Sequence, residues 1–332
     1  MYQTENSSNV KMPANFPWMD KPKNCEEAIW RETRNPIINR NPVKNVKRIY
    51  NSAVIPFEDH YIAVLRADYK NGMPFLHLGE SEDGLNWNIS DKKLLFSTTD
   101  GIPGMDEYAY DPRVTYIDGK YYITWCNGYG GPTIGVAGTT DFKNIEQYEN
   151  AFLPFNRNGV LLPKKINGNF AMLSRPSDNG HTPFGDIYYS ESPDMCFWGK
   201  HRHVLSPTET WWECTKVGAG PTPIETSQGW LLFYHGVMST CSGLVYSMGA
   251  TLLDLEKPWI VIGRTKEALL TPETDYETIG HVPNVIFPCA SLYDEHTGRI
   301  AIYYGAADTT TCLAYTTCEK IINEIAKSAP SV

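Results

Sequence analysis

The chain has 332 residues, 42% of them apolar and 41 aromatic (12 Phe, 9 Trp, 20 Tyr), enough for a sizeable core and too apolar for a disordered chain. Lysine and arginine number 29 against 38 aspartate and glutamate, a formal charge of −9, which excludes the basic footprint of a nucleic-acid binder and gives no attraction to anionic lipid. No apolar run of about 18 residues is present, so no membrane span is expected.

Lys23 to Glu32 reads as a short helix, with Asn24 as N-cap and Glu26 and Glu27 in its first turn. Five segments then share one layout: a strand, a polar turn and an aromatic-rich strand. They are residues 51–68, 111–128, 159–178, 218–236 and 284–308. Asp118-Gly119 and Asn167-Gly168 are strong hairpin signals, because a type I′ turn needs φ > 0 at both central residues. Ser227-Gln228-Gly229 and His296-Thr297-Gly298 are looser versions. Anchors at Tyr61, Tyr121, Phe170, Trp230 and Ile300 give intervals of 60, 49, 60 and 70 residues, which are propeller-blade spacings with loop insertions. A second signature recurs after a third strand. Ser81, Asp83 and Trp87 match Ser192, Asp194 and Trp198, with degenerate copies at 139–145 and 254–259. It reads as a structural turn whose Trp packs between blades. Cys318 to Lys327 places Ile321, Ile322 and Ile325 at helical spacing.

The expected fold is all-β: one five-bladed β-propeller over 1–332, with short helical segments in an N-terminal extension (1–32) and at the C-terminus (318–332). The terminal segments would close the ring or make a subunit contact. The eight cysteines include no C-x-x-C and no zinc spacing, so reduced thiols are expected. With no basic n-region before an apolar run at the start, this points to the cytoplasm.

Hairpin geometry locates the chemistry. The start of the first strand and the end of the second lie at the same end of each repeat. Starts bring Asn51, Ser52, Asp111, Arg113, Arg157, Lys216 and Asn284 to one face. Ends bring Arg66, Asp68, Asn127, Arg175, Asp178, His235 and Asp308 to that same face. Such crowding of charge exceeds what structural ion pairs explain, so a polar ligand site is expected there. Asp, Asn, Arg and aromatic groups suit a sugar. Arg157, Arg175, Lys216 and His235 form a cationic cluster that would repel itself without an anion, which suggests a phosphate beside the sugar. Asp111, in Tyr110-Asp111-Pro112-Arg113, is placed either as a general acid or as an ion-pair partner of Arg113. GYGGP at 128–132 lacks a strand-to-helix setting and reads as a turn. His201 and His203 have no carboxylate beside them in sequence, so no metal is expected.

Asn51-Ser52, Tyr-Asp-Pro-Arg at 110–113 and the long run 150–187 closely resemble glycoside hydrolase family 130, as do 216–236, VPNVIFPCASL and YYGAADT. The likeness covers nearly the whole chain from about residue 33. It implies a five-bladed propeller and an inverting β-mannoside phosphorylase. The branch nearest in likeness acts on β-1,4-mannosyl-glucose, β-1,4-mannosyl-N-acetylglucosamine or β-1,4-mannooligosaccharides. The family's catalytic acid falls on Asp111. Its phosphate ligands match Arg157, Arg175, Lys216 and His235, with Tyr246 close by. Its mannosyl contacts match Asn51, Ser52, Arg66, Asp68 and Asp308, and its acceptor positions Tyr110, His181 and Phe287.

The expected reaction is reversible phosphorolysis to α-mannose 1-phosphate and a free acceptor sugar. Inorganic phosphate is a co-substrate and no cofactor or metal is needed. In the family the proton is thought to pass through a mannose hydroxyl. N-acetylglucosamine is the preferred acceptor, as in breakdown of an N-glycan core. A homo-oligomer is expected, with no nucleic-acid or membrane partner. Two alternatives stand beside this. A hydrolase would need a second carboxylate, for which Asp178 and Glu213 are the candidates near in sequence. A non-catalytic sugar-binding propeller would bind without turnover.

Overall fold

The structure, a computed structural model, describes residues 12–98, 108–128, 130–177 and 185–328. Five antiparallel sheets follow the chain as blades. Blade 1 is Val46–Phe57, His60–Tyr69, Pro74–Ser81 and Asn88–Lys93. Blade 2 is Tyr110–Ile117, Lys120–Asn127, Thr133–Thr139 and Glu146–Gln147. Blade 3 is Asn156–Leu161, Phe170–Pro176, Ile187–Ser192 and Gly199–Leu205. In blade 4, Lys216–Ala219 and Ile224–Thr226 both pair with Gly229–Thr240, followed by Gly243–Leu253 and Val261–Arg264. Blade 5 is Ile286–Asp294, Arg299–Ala306 and Thr310–Thr317.

The fourth strand of blade 5 comes from the other end of the chain. Trp30 pairs with Tyr315 and Arg31 with Ala314. This corrects the helix expected over 23–32. The chain there turns and then extends, because its apolar residues Ile29 and Trp30 are spent on neighbouring blades and not on one helix face. The helix Cys318–Lys327 is present, capped by Thr317, and buries Cys318, Ile321 and Ile325.

An apolar cluster fills each seam between neighbouring blades, so burial holds the blades face to face. The recurring Ser/Thr-x-Asp signature is a turn between third and fourth strands. Ser81 Oγ accepts from Gly84 N–H, and Asp83 Oδ1 accepts from the N–H groups of Leu85 and Asn86. Ser192 with Asp194, and Thr139 with Asp141, repeat it. Its tryptophans reach the preceding blade: Trp87 meets Tyr303 and Trp259 meets Tyr189.

Among the described residues, Arg31 fastens the ring closure, chiefly through a buried ion pair with Glu277 and also through Glu273 at 3.5 Å. Arg31 donates Nε to Glu277 Oε1 at 2.8 Å and Nη2 to Oε2 at 3.0 Å. Tyr304 Oη also donates to this carboxylate, and the N–H groups of Glu273 and Thr274 complete its shell. Burial alone would raise the Glu277 carboxyl; Arg31 and the backbone donors outweigh it and hold it low. Its contribution to stability is therefore complete above the ordinary carboxylate range and is lost as pH falls through the lowered pKa. Arg31→Met should lower stability by about 3–5 kcal/mol, because the carboxylate left behind is buried and unpaired. Urea unfolding checks this, and adding Glu277→Leu should recover part of the loss. A single mutant within about 0.5 kcal/mol of the unaltered chain would show that the pair does not fasten the ring.

Candidate functional site

The first strand of each blade faces the central axis, where neighbouring first strands touch. Three of them carry the same device at the same end. Asn51, Asp111 and Asn158 have φ of 47°, 50° and 56°, and at each the ladder shifts register. A bulge of this kind turns a strand side chain out of the alternation and into the funnel. Asn158 was missed from sequence; its signal is the Asn-Gly pair at the position equivalent to Asn51-Ser52 and Asp111-Pro112.

One wall of the funnel is acidic and organised by Arg66. This guanidinium donates Nη1 to Asp111 Oδ1 at 2.8 Å and Nε to Asp68 Oδ1 at 3.0 Å. Asn51 Nδ2 donates to the same Asp111 oxygen at 2.9 Å. A Cβ on Gly305 would overlap Asn51, so only glycine lets blade 5 pass that close. Asp68 also accepts from Tyr50 Oη at 2.7 Å and Arg48 at 3.2 Å, two partners the sequence did not reveal. Ser52 is buried and donates to the Tyr50 carbonyl. Asp308 sits on a left-handed turn after the second strand of blade 5. Burial, with Asp111 and Asp68 nearby, pushes its carboxyl up to about 7 against the pull of Arg66.

Arg113 is not the ion-pair partner of Asp111. It is buried and donates to backbone carbonyls, those of Gly220, Asp111 and Pro112, and so ties blade 2 to blade 4 beneath the site.

The opposite wall is basic. Among the described residues, Arg157, Arg175 and Lys216 make no ion pair with a carboxylate. Burial lowers Lys216 to about 8, and Arg175 and Arg157 add to the shift. His235 corrects the expected four-cation cluster. Burial, then Arg175, Arg113 and Lys216, push its imidazole well below the ordinary range, so it is neutral. Arg175 Nη1 donates to His235 Nε2 at 2.9 Å, which leaves the proton on Nδ1. The His235 ring lies on Phe287, with centroids 4.4 Å apart. Lys216 Nζ sits 5.5 Å from the centre of the Tyr246 ring. The Tyr246 hydroxyl senses both walls, with Arg175 and Arg157 on one side and Asp308 and Asp111 on the other.

Tyr110 joins the walls: Arg157 Nε donates to its hydroxyl at 3.3 Å, and Arg66 lies 5.2 Å from its ring centre. His181 and Asp178 lie outside the described residues. Four buried polar atoms in the funnel, Asn51 Oδ1, Asn158 Nδ2, Arg175 Nε and His235 Nδ1, have no hydrogen-bond partner among the described residues.

Elsewhere, His201 bonds Ser190, and His203 bonds Asp186 and Ser206, on the outer edge of blade 3. Among the described residues, Glu58, Asp59 and His60 could hold a metal ion, but they lie on an exposed turn at the far end of the first hairpin. Glu213 is buried with Tyr234, Thr208 and Thr210 and stands apart from the cationic set. None of the eight cysteines is in a disulfide, and no described helix is long and apolar enough to cross a membrane.

A funnel with a carboxylate wall facing an unpaired cationic wall places the chain among carbohydrate-active five-bladed propellers. Comparison with known proteins narrows that class. The sequence profile of glycoside hydrolase family 130, described as beta-1,4-mannooligosaccharide phosphorylase, matches residues 10–327, and the chain belongs to that family. It is 51% identical to the beta-1,4-mannooligosaccharide phosphorylase of Ruminococcus albus over 99% of this chain and 100% of that one. It is 34% identical to the beta-1,2-mannobiose phosphorylase of Listeria innocua over 77% of this chain and 69% of the other. A solved structure of beta-1,2-mannobiose phosphorylase from Listeria innocua, in complex with beta-1,2-mannobiose, superposes with a TM-score of 0.81 at 26% identity, covering 90% of this chain and 99% of that one.

Anion binding should follow the charge on Lys216. Sulfate keeps one charge across this range, so its affinity should hold below pH about 8 and fall by up to about tenfold per pH unit above it. Calorimetric titration measures this. Lys216→Met should bind more weakly and lose the fall above pH about 8, and absence of that fall in the unaltered chain would remove Lys216 from the anion site.

Proposed function

We propose that this protein phosphorolyses β-1,4-linked mannosides with inversion, giving α-mannose 1-phosphate and a shortened or free acceptor sugar. The observation that carries the reading is the pairing of one acid, Asp111, with a cationic wall that has no carboxylate partners among the described residues. The 51% relative is named for β-1,4-mannooligosaccharides, which supports those substrates ahead of mannosyl-N-acetylglucosamine.

The chemistry follows from the two walls. The mannosyl unit is held by Asn51, Ser52, Arg66, Asp68 and Asp308, and the acceptor by Tyr110, Phe287 and His181. Both hydrogen bonds to Asp111 fall on Oδ1, so Oδ2 is the oxygen that presents a proton to the departing sugar. Phosphate rests on Arg157, Arg175 and Lys216, with the Nδ1–H of neutral His235 and the Tyr246 hydroxyl as further donors. It attacks the anomeric carbon from the face opposite the leaving oxygen. The old C1–O bond breaks as the new one forms, and the leaving oxygen takes the proton of Asp111. The proton released from the phosphate restores the acid. An inverting hydrolase needs a carboxylate to activate water. Phosphate is already an anionic nucleophile, and fixed cations aimed at it stabilise the transition state without reorganisation. No cofactor enters this scheme, and inorganic phosphate is a co-substrate.

The hydrolytic alternative loses its described candidate, because Glu213 is held by Tyr234 at 2.7 Å outside the funnel. Reduced thiols support a cytoplasmic location.

Incubation with β-1,4-mannobiose, with and without inorganic phosphate, should give mannose 1-phosphate by ³¹P NMR only when phosphate is present. Free mannose formed equally in both samples would mean hydrolysis. Asp111→Asn should abolish turnover while mannosides still bind; retained turnover would remove Asp111 from the acid role. Arg175→Ala should raise the KM for phosphate by at least about tenfold, since a charge-assisted hydrogen bond is worth roughly 1.5–3 kcal/mol. An unchanged KM would sink the assignment of the basic wall.

A further inference from the structure

The bulge that carries Asp111 differs from its two counterparts at one position. In blades 1, 2 and 3 the ladder breaks after Tyr50, Tyr110 and Arg157 and resumes at Ala53, Arg113 and Val160. All three resuming residues are buried. Ala53 and Val160 show that an apolar side chain suffices there to build the bulge. The blade that bears the acid has a guanidinium instead. A buried charge is costly to desolvate, so filling space does not account for it.

Its contacts do. Nη1 donates to the carbonyls of Asp111 and Pro112, both at 3.1 Å, and these are the two residues that the ladder skips. Asp111 is left-handed, at φ 50°, directly before a proline. A residue before proline is normally driven to extended backbone, and a left-handed non-glycine residue persists only where its surroundings enforce it. Pro112 has no N–H with which to hold the turn. The guanidinium supplies that restraint from the side.

The same guanidinium reaches the basic wall. Nε donates to the Gly220 carbonyl in blade 4 at 2.6 Å. Gly220 follows the strand Lys216–Ala219 and is itself firmly seated. It donates to the Phe233 carbonyl at 3.0 Å, and a Cβ there would lie 2.7 Å from that oxygen. Blades 2 and 4 are not neighbours in the ring, so Arg113 crosses the axis of the propeller. It runs from the backbone of the acid to the strand that begins at Lys216.

We propose that Arg113 is a positioning residue for the acid, a brace that fixes Asp111 at a set distance and angle from the phosphate wall. The inference rests on the mannoside phosphorolysis proposed above. Inverting displacement needs the proton donor and the attacking anion on opposite faces of one anomeric carbon. A misplacement of about 1 Å can cost about a hundredfold in rate.

The test is steady-state phosphorolysis of β-1,4-mannobiose by the unaltered chain, Arg113→Met and Arg113→Lys, with mannobiose binding measured by calorimetry. Each kcat is taken per molecule that binds mannobiose, so an unfolded fraction does not enter. In Arg113→Met, kcat should fall by about thirtyfold, while the Kd for mannobiose and the KM for phosphate stay within about threefold. Arg113→Lys keeps the charge but replaces the fork with a single point, which cannot reach carbonyls on both blades. It is the milder change for folding, and its kcat should still fall by at least about tenfold. A kcat within about threefold of the unaltered chain in either variant overturns the brace, and full recovery with lysine would show that charge alone matters. Loss of mannobiose and phosphate binding in step with kcat overturns it too, because that is collapse of the funnel and not misplacement of the acid. These outcomes leave the phosphorylase reading intact. Absence of phosphate-dependent turnover by the unaltered chain overturns that reading, and the brace with it.

Discussion

The funnel is organised around a buried guanidinium. Arg66 donates to Asp111 and Asp68 and also faces Asp308, so one positive charge serves three carboxylates. It cannot satisfy all of them. Asp68 has the further help of Arg48 and Tyr50 and is held low despite its burial. Asp308 is drawn down by Arg66 and Arg48 as well, but burial, with Asp111 and Asp68 nearby, pushes it up to about 7. One wall thus contains carboxyl groups in different protonation states near neutrality.

The basic wall shows the complementary imbalance. Buried cations are normally paired, and a buried ammonium without a partner shifts toward its neutral form. Lys216 does so, and His235 has lost its charge altogether. Uncompensated cations cost stability in the ligand-free protein, and the inter-blade cores offset that cost. An arriving phosphate relieves the repulsion, so its charge is worth more here than at an exposed surface. The left-handed backbone at Asn51, Asp111 and Asn158 belongs to the same trade, because non-glycine residues adopt it only where surrounding structure enforces it.

Much of this arrangement was legible in the sequence because it follows from hairpin geometry. Strand starts and strand ends share one end of each repeat, so the polar residues at those positions had to converge. The turn pairs Asp118-Gly119 and Asn167-Gly168 fixed the hairpins, with φ of 50° and 85°, and 50° and 81°. Side-chain partnerships were not legible. The proximity of Arg113 to Asp111 suggested an ion pair, yet two residues along a bulged strand point the side chains apart, and the carboxylate turned to Arg66 in the preceding blade. The charge on His235 was also invisible, since it depends on burial and on three cations from other strands. The N-terminal segment misled for a different reason. Its cap and acidic first turn favour a helix locally, but the open edge of blade 5 needs a strand, and ladder bonds to Tyr315 and Ala314 outweigh local propensity.

The same closure reaches the site. Glu277, clamped by Arg31, accepts a backbone hydrogen bond through its carbonyl from Val285. Val285 in turn bridges Tyr246 and accepts from Ala307, the residue before Asp308. Asn284, at φ 61°, and Phe287 lie on this stretch. The first described strand and the last blade are therefore coupled, through the buried Arg31–Glu277 pair, to the backbone that sets Tyr246, Phe287 and Asp308. Loosening the ring at Arg31 would disturb both walls of the funnel at once, so closure and catalysis share a single structural support.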